Sequence, residues 1–172
     1  MIDIVEAKSF EQLDHVRMLF RSFVGWLRQR YADSIQVIDD YFDVGAYEAE
    51  IASLPGDYAP PRGRLLLAMS EGHGAGCVAL REIDRRTCEM KRLFVDSELH
   101  GHGVGRSLCD AIISEARDIG YLSMRLDTGI KQTEAQSLYR TLGFKQIKAY
   151  YAVPERLEES LVFMELSLQS QR

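Results

Sequence analysis

The spacing of apolar residues changes twice along this chain of 172 residues. Ile2 and Ile4 alternate with polar neighbours, which predicts a short first strand. Ser9 then precedes a helical repeat with Gln12 three positions on, a capping-box start. Leu13, Val16, Leu19, Phe20, Phe23, Val24 and Leu27 continue one face to about Arg30. A second amphipathic helix is predicted over 43–54. Pro55-Gly56-Asp57 and Pro60-Pro61-Arg62-Gly63 cannot continue it, so a long loop follows, either functional or a packed cover.

From Arg64 the pattern becomes that of strands. Segments 65–69, 76–80 and 88–95 are separated by Glu71-Gly72-His73-Gly74 and Asp84-Arg85-Arg86, which predicts an antiparallel meander. Val104, Leu108, Ile112, Ala116 and Ile119 then mark a helix over 103–119, stopped by Gly120. A strand at 122–127, a helix at 132–142 and strands near 144–149 and 162–168 complete the chain. Helices alternate with strands only in this second half. The expected fold is therefore α/β (α+β), one domain over 1–172, with a mixed and mostly antiparallel sheet flanked by helices.

Composition narrows the function. Twenty-one lysines and arginines against 26 acids give a net charge of −5, which offers no electrostatic footprint for nucleic acid. No apolar run is long enough to span a bilayer, and the N-terminus lacks a signal-peptide pattern, so a cytoplasmic protein without a membrane partner is expected. Cys77, Cys88 and Cys109 have no metal-ligand spacing and read as small buried hydrophobes. The four histidines are scattered, and His100-x-His102 lacks further ligands, so no metal is expected.

The chemistry concentrates between Leu93 and Phe144. Leu93-Phe94-Val95 runs into Asp96-Ser97-Glu98-Leu99-His100-Gly101-His102-Gly103-Val104-Gly105, an apolar strand, a glycine-spaced turn and a helix start. Glycines 101, 103 and 105 let backbone approach a ligand. The first helical turn presents unpaired amide hydrogens and partial positive charge, which suit a pyrophosphate. His100, His102 and Arg106 are further donors. A purely structural tight turn would carry the same glycines. A dinucleotide-binding unit fits less well, because the turn follows an antiparallel meander, and the Gly-Lys-Ser/Thr ending of a P-loop is missing.

Residues 89–105 resemble the acetyl-CoA motif of the GNAT N-acetyltransferases. Leu138-Tyr139-Arg140-Thr141-Leu142-Gly143-Phe144 resembles that family's second motif, and the order of elements matches over nearly the whole chain. The resemblance implies a splayed strand pair whose exposed backbone binds the pantetheine arm of acetyl-CoA. Leu93, Phe94 and Val95 would make those contacts, with His100, Gly101, His102, Gly103, Val104, Gly105 and Arg106 around the pyrophosphate. Two positions depart from the family pattern: His100 replaces arginine or glutamine, and Gln132 stands where asparagine is common.

The implied reaction moves an acetyl group from acetyl-CoA directly to an amine on a small molecule or peptide. It needs an acid for the departing thiolate and a base for the amine. A phenol of pKa ~10 and a carboxylate can do this. By resemblance Tyr139 is the acid. Glu89, inside the strand leading to the turn, is the expected base, with Glu82 its competitor and Asp127 read as a turn or cap residue. Tyr150 and Tyr151 are candidates for an aromatic acceptor wall, and Lys91 and Arg92 for a carboxylate anchor. Asp33, Asp39, Asp40, Asp43, Glu48 and Glu50 would suit a cationic acceptor if they faced the site. Family analogy adds a homodimer joined through the last strand. The competing reading is a non-catalytic module that binds CoA or acetyl-CoA.

Overall fold

The structure, a computed structural model, describes residues 1–169. Its strands are β1 (Ile2–Glu6), β2 (Arg64–Ser70), β3 (His73–Glu82), β4 (Thr87–Val95), β5 (Ser123–Gly129), β6 (Lys145–Ile147) and β7 (Leu161–Ser167). They form one sheet in the order β1-β2-β3-β4-β5-β7-β6. Only β4 and β5 run parallel; every other pairing is antiparallel. The α-helices are α1 (Phe10–Arg30), α2 (Gln36–Tyr41), α3 (Val44–Ser53), α4 (Val104–Ile119) and α5 (Thr133–Thr141).

Local chemistry sets most boundaries. Ser9 Oγ accepts from Gln12 N at 3.1 Å and Gln12 Oε1 accepts from Ser9 N at 3.0 Å, the reciprocal capping box that starts α1. Asp43 caps α3 through Ala46 N at 2.7 Å. Gly120 ends α4 at φ +102°, where a side chain would be strained. Helix α2 was not anticipated. It has only six residues and no side-chain cap, so it leaves little periodic trace.

The sheet separates two apolar layers. Leu66, Ala68, Val78, Met90, Met124 and Leu126 meet Leu108 and Ile112 of α4 and Tyr139 of α5 on one face. Leu65, Leu67, Cys77 and Ala79 meet Phe20 and Leu27 of α1, Ile38 of α2 and Ile51 of α3 on the other. Loop 55–63 is a packed cover for this second layer: Tyr58 is buried, and a Cβ on Gly63 would come within 2.5 Å of the Tyr58 backbone. All three thiols are free and buried, and burial pushes Cys88 and Cys109 up to about 12.

Two irregularities shape the middle of the sheet. β4 pairs with β5 only through Thr87, Cys88 and Glu89, and beyond that point the strands part. Within β4, the register with β3 shifts between Cys77 and Ala79, and Arg92 takes φ +60°. Such a bulge reverses the alternation of side chains downstream. Cys88 and Met90 belong to the α4 layer, yet Phe94 belongs to the α1 layer.

The last strand is not an edge. β7 pairs with β5 along its length and with β6 over Phe163–Glu165, so it offers no free edge there to a second copy. The edges of the sheet are β1 and β6.

Candidate active site

The end of β4, the turn after it and the start of α4 form one wall of a cleft of about 510 Å³. Gly101 and Gly103 adopt φ +80° and +79°, and a Cβ on either would meet nothing within 4 Å. Their role is therefore conformational, and the surface beside them is open. The first backbone bond of α4 runs from Ser107 N to Gly103 O at 3.0 Å. The N–H groups of Val104, Gly105 and Arg106 lie ahead of it, at the positive end of a helix of 16 residues. A diphosphate fits these free donors and this open glycine surface.

Nine of the ten residues expected around the cofactor line this cleft: Leu93, Phe94, Val95, His100, Gly101, Gly103, Val104, Gly105 and Arg106. His102 stands outside it, exposed, with Nδ1 3.1 Å from the His100 carbonyl. His100 Nε2 donates to the Val95 carbonyl at 2.8 Å, tying the turn back to the strand. Arg106 is half-exposed and pairs with Asp110 one turn along α4. The opposite wall comes from Phe23, Trp26 and Arg30 of α1 and from Glu134, Ala135 and Leu138 of α5. Gln132 also lines the cleft, but its Oε1 is taken by Gly129 N at 2.7 Å.

Where β4 and β5 diverge, a narrow gap of about 60 Å³ adjoins the cleft, with Phe23, Leu93 and Gln132 lining both. Tyr139 lines this gap from α5, together with Asp127, Thr128 and Gly129 of β5. Burial, and then the neighbouring Cys109 and Asp127, hold the Tyr139 phenol well above its ordinary range.

On the face opposite α5 the gap meets a buried polar network. Asp127 accepts from Tyr41 Oη and from Tyr151 Oη, the latter at 2.7 Å, and lies 3.5 Å from Lys91 Nζ. Lys91 Nζ is 3.9 Å from Glu89, which also accepts from Arg81 at 2.8 Å and from the Tyr150 hydroxyl. Glu89 and Asp127 side chains are only 3% and 5% exposed, so these partners replace the water both carboxylates have lost. Arg92 pairs with Glu50 at 3.1 Å and packs against the rings of Phe42 and Tyr47. Lys91 and Arg92, the expected carboxylate anchors, thus already have carboxylate partners.

The acids expected to attract a cationic acceptor are likewise engaged. Asp33 pairs with Lys131, Asp39 with Arg28, Asp40 with Arg156, Glu48 with Arg21 and Glu50 with Arg92. Asp43 is the cap of α3. Glu82, the competing base, pairs with Arg62 at the surface.

The model of the Acetyltransferase (GNAT) family matches residues 23–144, which include the cofactor turn, Glu89 and Tyr139. The chain belongs to the GNAT acetyltransferase family. An uncharacterised N-acetyltransferase of Schizosaccharomyces pombe is 34% identical over 97% of this chain and 95% of its own length. A GNAT-family acetyltransferase from Staphylococcus aureus Mu50 superposes with TM-score 0.76 at 19% identity, covering 98% of this chain and 100% of that one. The PaiA N-acetyltransferase from Thermoplasma acidophilum, solved in complex with coenzyme A, gives TM-score 0.74 at 20% identity, covering 97% and 99%. The fold is that of the GNAT acetyltransferases, a mixed and mostly antiparallel sheet between helices.

Three features of this GNAT domain escaped the sequence. Asp127 is neither a turn nor a cap residue but the centre of a three-partner network. Tyr41 reaches it from the unanticipated α2, across 86 positions. Arg92 is a largely buried bulge residue held by Glu50 rather than a free anchor for an acceptor's carboxylate. Tyr41, Lys91, Asp127 and Tyr151 come from four segments that only the folded sheet brings together. Among the described residues, no group of three or more His, Cys, Asp or Glu side chains is arranged for a metal ion, and no helix is long and apolar enough to cross a membrane.

Proposed function

We propose that this GNAT acetyltransferase uses acetyl-CoA as co-substrate and transfers the acetyl group directly to a primary amine of a small molecule or peptide. The open amides at the start of α4 would hold the pyrophosphate. The backbone of Leu93, Phe94 and Val95 would pair with the pantetheine arm, with His100 and Arg106 at the rim. Tyr139 would protonate the thiolate as the carbon–sulfur bond breaks, its buried position keeping the phenol protonated until then. The observation that carries this reading is that the gap lined by Tyr139 adjoins the cleft, with Phe23, Leu93 and Gln132 lining both.

The amine proton leaves towards the two buried carboxylates. Glu89 is the base expected from the sequence. A specific observation favours Asp127 as a second reading: it lines the same gap as Tyr139, whereas Glu89 faces a separate outer hollow with Asp57, Arg81, Tyr150 and Tyr151. Lys91 lies between the two carboxylates, so either one acts within a single network. A cytoplasmic site of action and a homodimer belong to the same proposal, the dimer by a surface other than the middle of β7.

Thiol release from acetyl-CoA with a panel of amines, beside calorimetric binding of acetyl-CoA, tests this reading. Gly103→Glu is expected to abolish binding, because it strains a positive φ and sets a like charge against the pyrophosphate. Tyr139→Phe is expected to lower kcat at least tenfold with unchanged affinity. The larger loss between Glu89→Gln and Asp127→Asn names the base. Tight binding without thiol release for any amine would favour the non-catalytic module instead.

A further inference from the structure

Among the described residues, seven of the eight tyrosine hydroxyls are hydrogen-bonded: those of Tyr31, Tyr41, Tyr47, Tyr58, Tyr121, Tyr150 and Tyr151. Tyr139 is the exception. Also among the described residues, one buried side-chain polar atom has no hydrogen-bond partner, Thr128 Oγ1. Thr128 is only 5% exposed, and leaving its hydroxyl unpaired there is unfavourable. The two unpartnered hydroxyls line the same gap.

The backbone explains why both face the gap, although no hydrogen bond joins them in the resting structure. Side chains alternate along a strand, so Thr128 points to the same face of β5 as Met124 and Leu126, which belong to the α4–α5 layer with Tyr139. The buried side chains of α5 are Gln136 and Tyr139, one helical turn apart. Gln136 Nε2 donates to Gly129 O at 2.9 Å and to Ile130 O at 3.1 Å, which fixes this face of α5 over the end of β5. The gap of about 60 Å³ exceeds the roughly 10–15 Å³ that one water requires, so two hydroxyls and a sulfur can share it.

We propose that Thr128 is a positioning residue whose hydroxyl stabilises the phenolate that Tyr139 becomes during acetyl transfer. The inference rests on Tyr139 being the acid. As the nitrogen–carbon bond forms and the carbon–sulfur bond breaks, the Tyr139 proton goes to the sulfur. Thr128 keeps its own proton and donates a hydrogen bond to the phenolate oxygen. The proton lost by the amine passes to the carboxylate network and from there back to the phenolate. The hydroxyl has no partner in the resting state and gains one only when charge develops on the phenol, so it favours the transition state over the ground state.

This arrangement exchanges stability for activity, and that exchange is what the experiment reads. Thr128→Val removes the hydroxyl at nearly constant volume, Thr128→Ser keeps it, and Tyr139→Phe removes the acid. Each purified full-length variant is melted and assayed for thiol release at saturating acetyl-CoA and amine, across pH. Thr128→Val is expected to melt higher than the parent yet lose at least tenfold in kcat, with unchanged KM for acetyl-CoA. Thr128→Ser is expected to keep most of the activity. Thr128→Val in the Tyr139→Phe background is expected to lose nothing more. Undiminished kcat in Thr128→Val, equal losses in the serine and valine variants, or a lower melting temperature in the valine variant overturns the proposal. If Tyr139→Phe itself retains full kcat, the acid assignment fails first; if it loses kcat while Thr128→Val does not, only the role of Thr128 fails.

Discussion

Arg92 shows how much one side chain can carry here. It occupies φ +60°, a conformation that costs a residue with a Cβ about 1–3 kcal/mol unless its surroundings hold it. They do: Glu50 takes its guanidinium at 3.1 Å, and the rings of Phe42 and Tyr47 lie 5.3 and 5.0 Å from its charge centre. Glu50 in turn accepts from Tyr58 of the loop cover. The bulge that turns Leu93–Val95 towards the cleft is thus fastened to α3 and its flanks. Arg92→Met removes the charge and leaves the partly buried Glu50 with Tyr58 but without its cationic partner. Destabilisation of about 3 kcal/mol in a urea titration is expected, together with weaker acetyl-CoA binding in the remaining folded protein. In the sequence, Arg92 is one more charge in a strand, because neither its backbone conformation nor its partner 42 positions away leaves a local mark.

At the scale of elements, legibility followed local chemistry. Helices α1 and α4 were readable because a capping box and a left-handed glycine stop sit beside regular apolar spacing, and α3 from its amphipathic pattern, while its aspartate cap emerged only in the structure. Helix α2 was not, since its placement rests on contacts such as Tyr41 with Asp127 and Ile38 with the α1 layer. The joint between α1, β5 and α5 was also hidden. There, Gly129 lies so close to its neighbours that a Cβ would stand 2.2 Å from Tyr31 Oη and 2.6 Å from Gln132 Oε1. Tyr31 Oη accepts from Lys131 N, and Gln132 Oε1 from Gly129 N, so neither can withdraw freely. Gly129→Ala is expected to cost about 1–3 kcal/mol by overpacking, seen as a lower melting temperature, and to lower kcat because Thr128 and Tyr139 flank the joint.

The whole molecule is a sheet with two apolar layers, and it hides its thiols. Unfolded cysteines titrate near 9, whereas burial holds Cys88 and Cys109 protonated to about 12. Tyr121 is similarly raised from 10 to about 12, first by burial. Between about pH 9 and 12 the native state therefore binds more protons than the unfolded state, so stability falls as pH rises. The urea midpoint is expected to be lower at about pH 10.5 than at about pH 8. At the lower pH the three cysteines should resist a thiol reagent until urea is added; reaction of the native protein would show that they are accessible.

The sequence by itself determined the order of the strands and of every α-helix but α2, the glycine turn ahead of α4 and the Tyr139 motif, because each depends on residues close together in the chain. Caps, left-handed glycines and strand alternation act over a few positions and need no partner. Tertiary structure decided the rest: the parting of β4 from β5, the reversal of alternation at Arg92, and the network joining Tyr41, Lys91, Asp127 and Tyr151. It also decided which charges were already neutralised, which removed the acidic stretch after α1 as an attractant for the acceptor. Those outcomes depend on burial and on pairing between distant segments, and a carboxylate's chemistry follows from who faces it rather than from its neighbours in the chain.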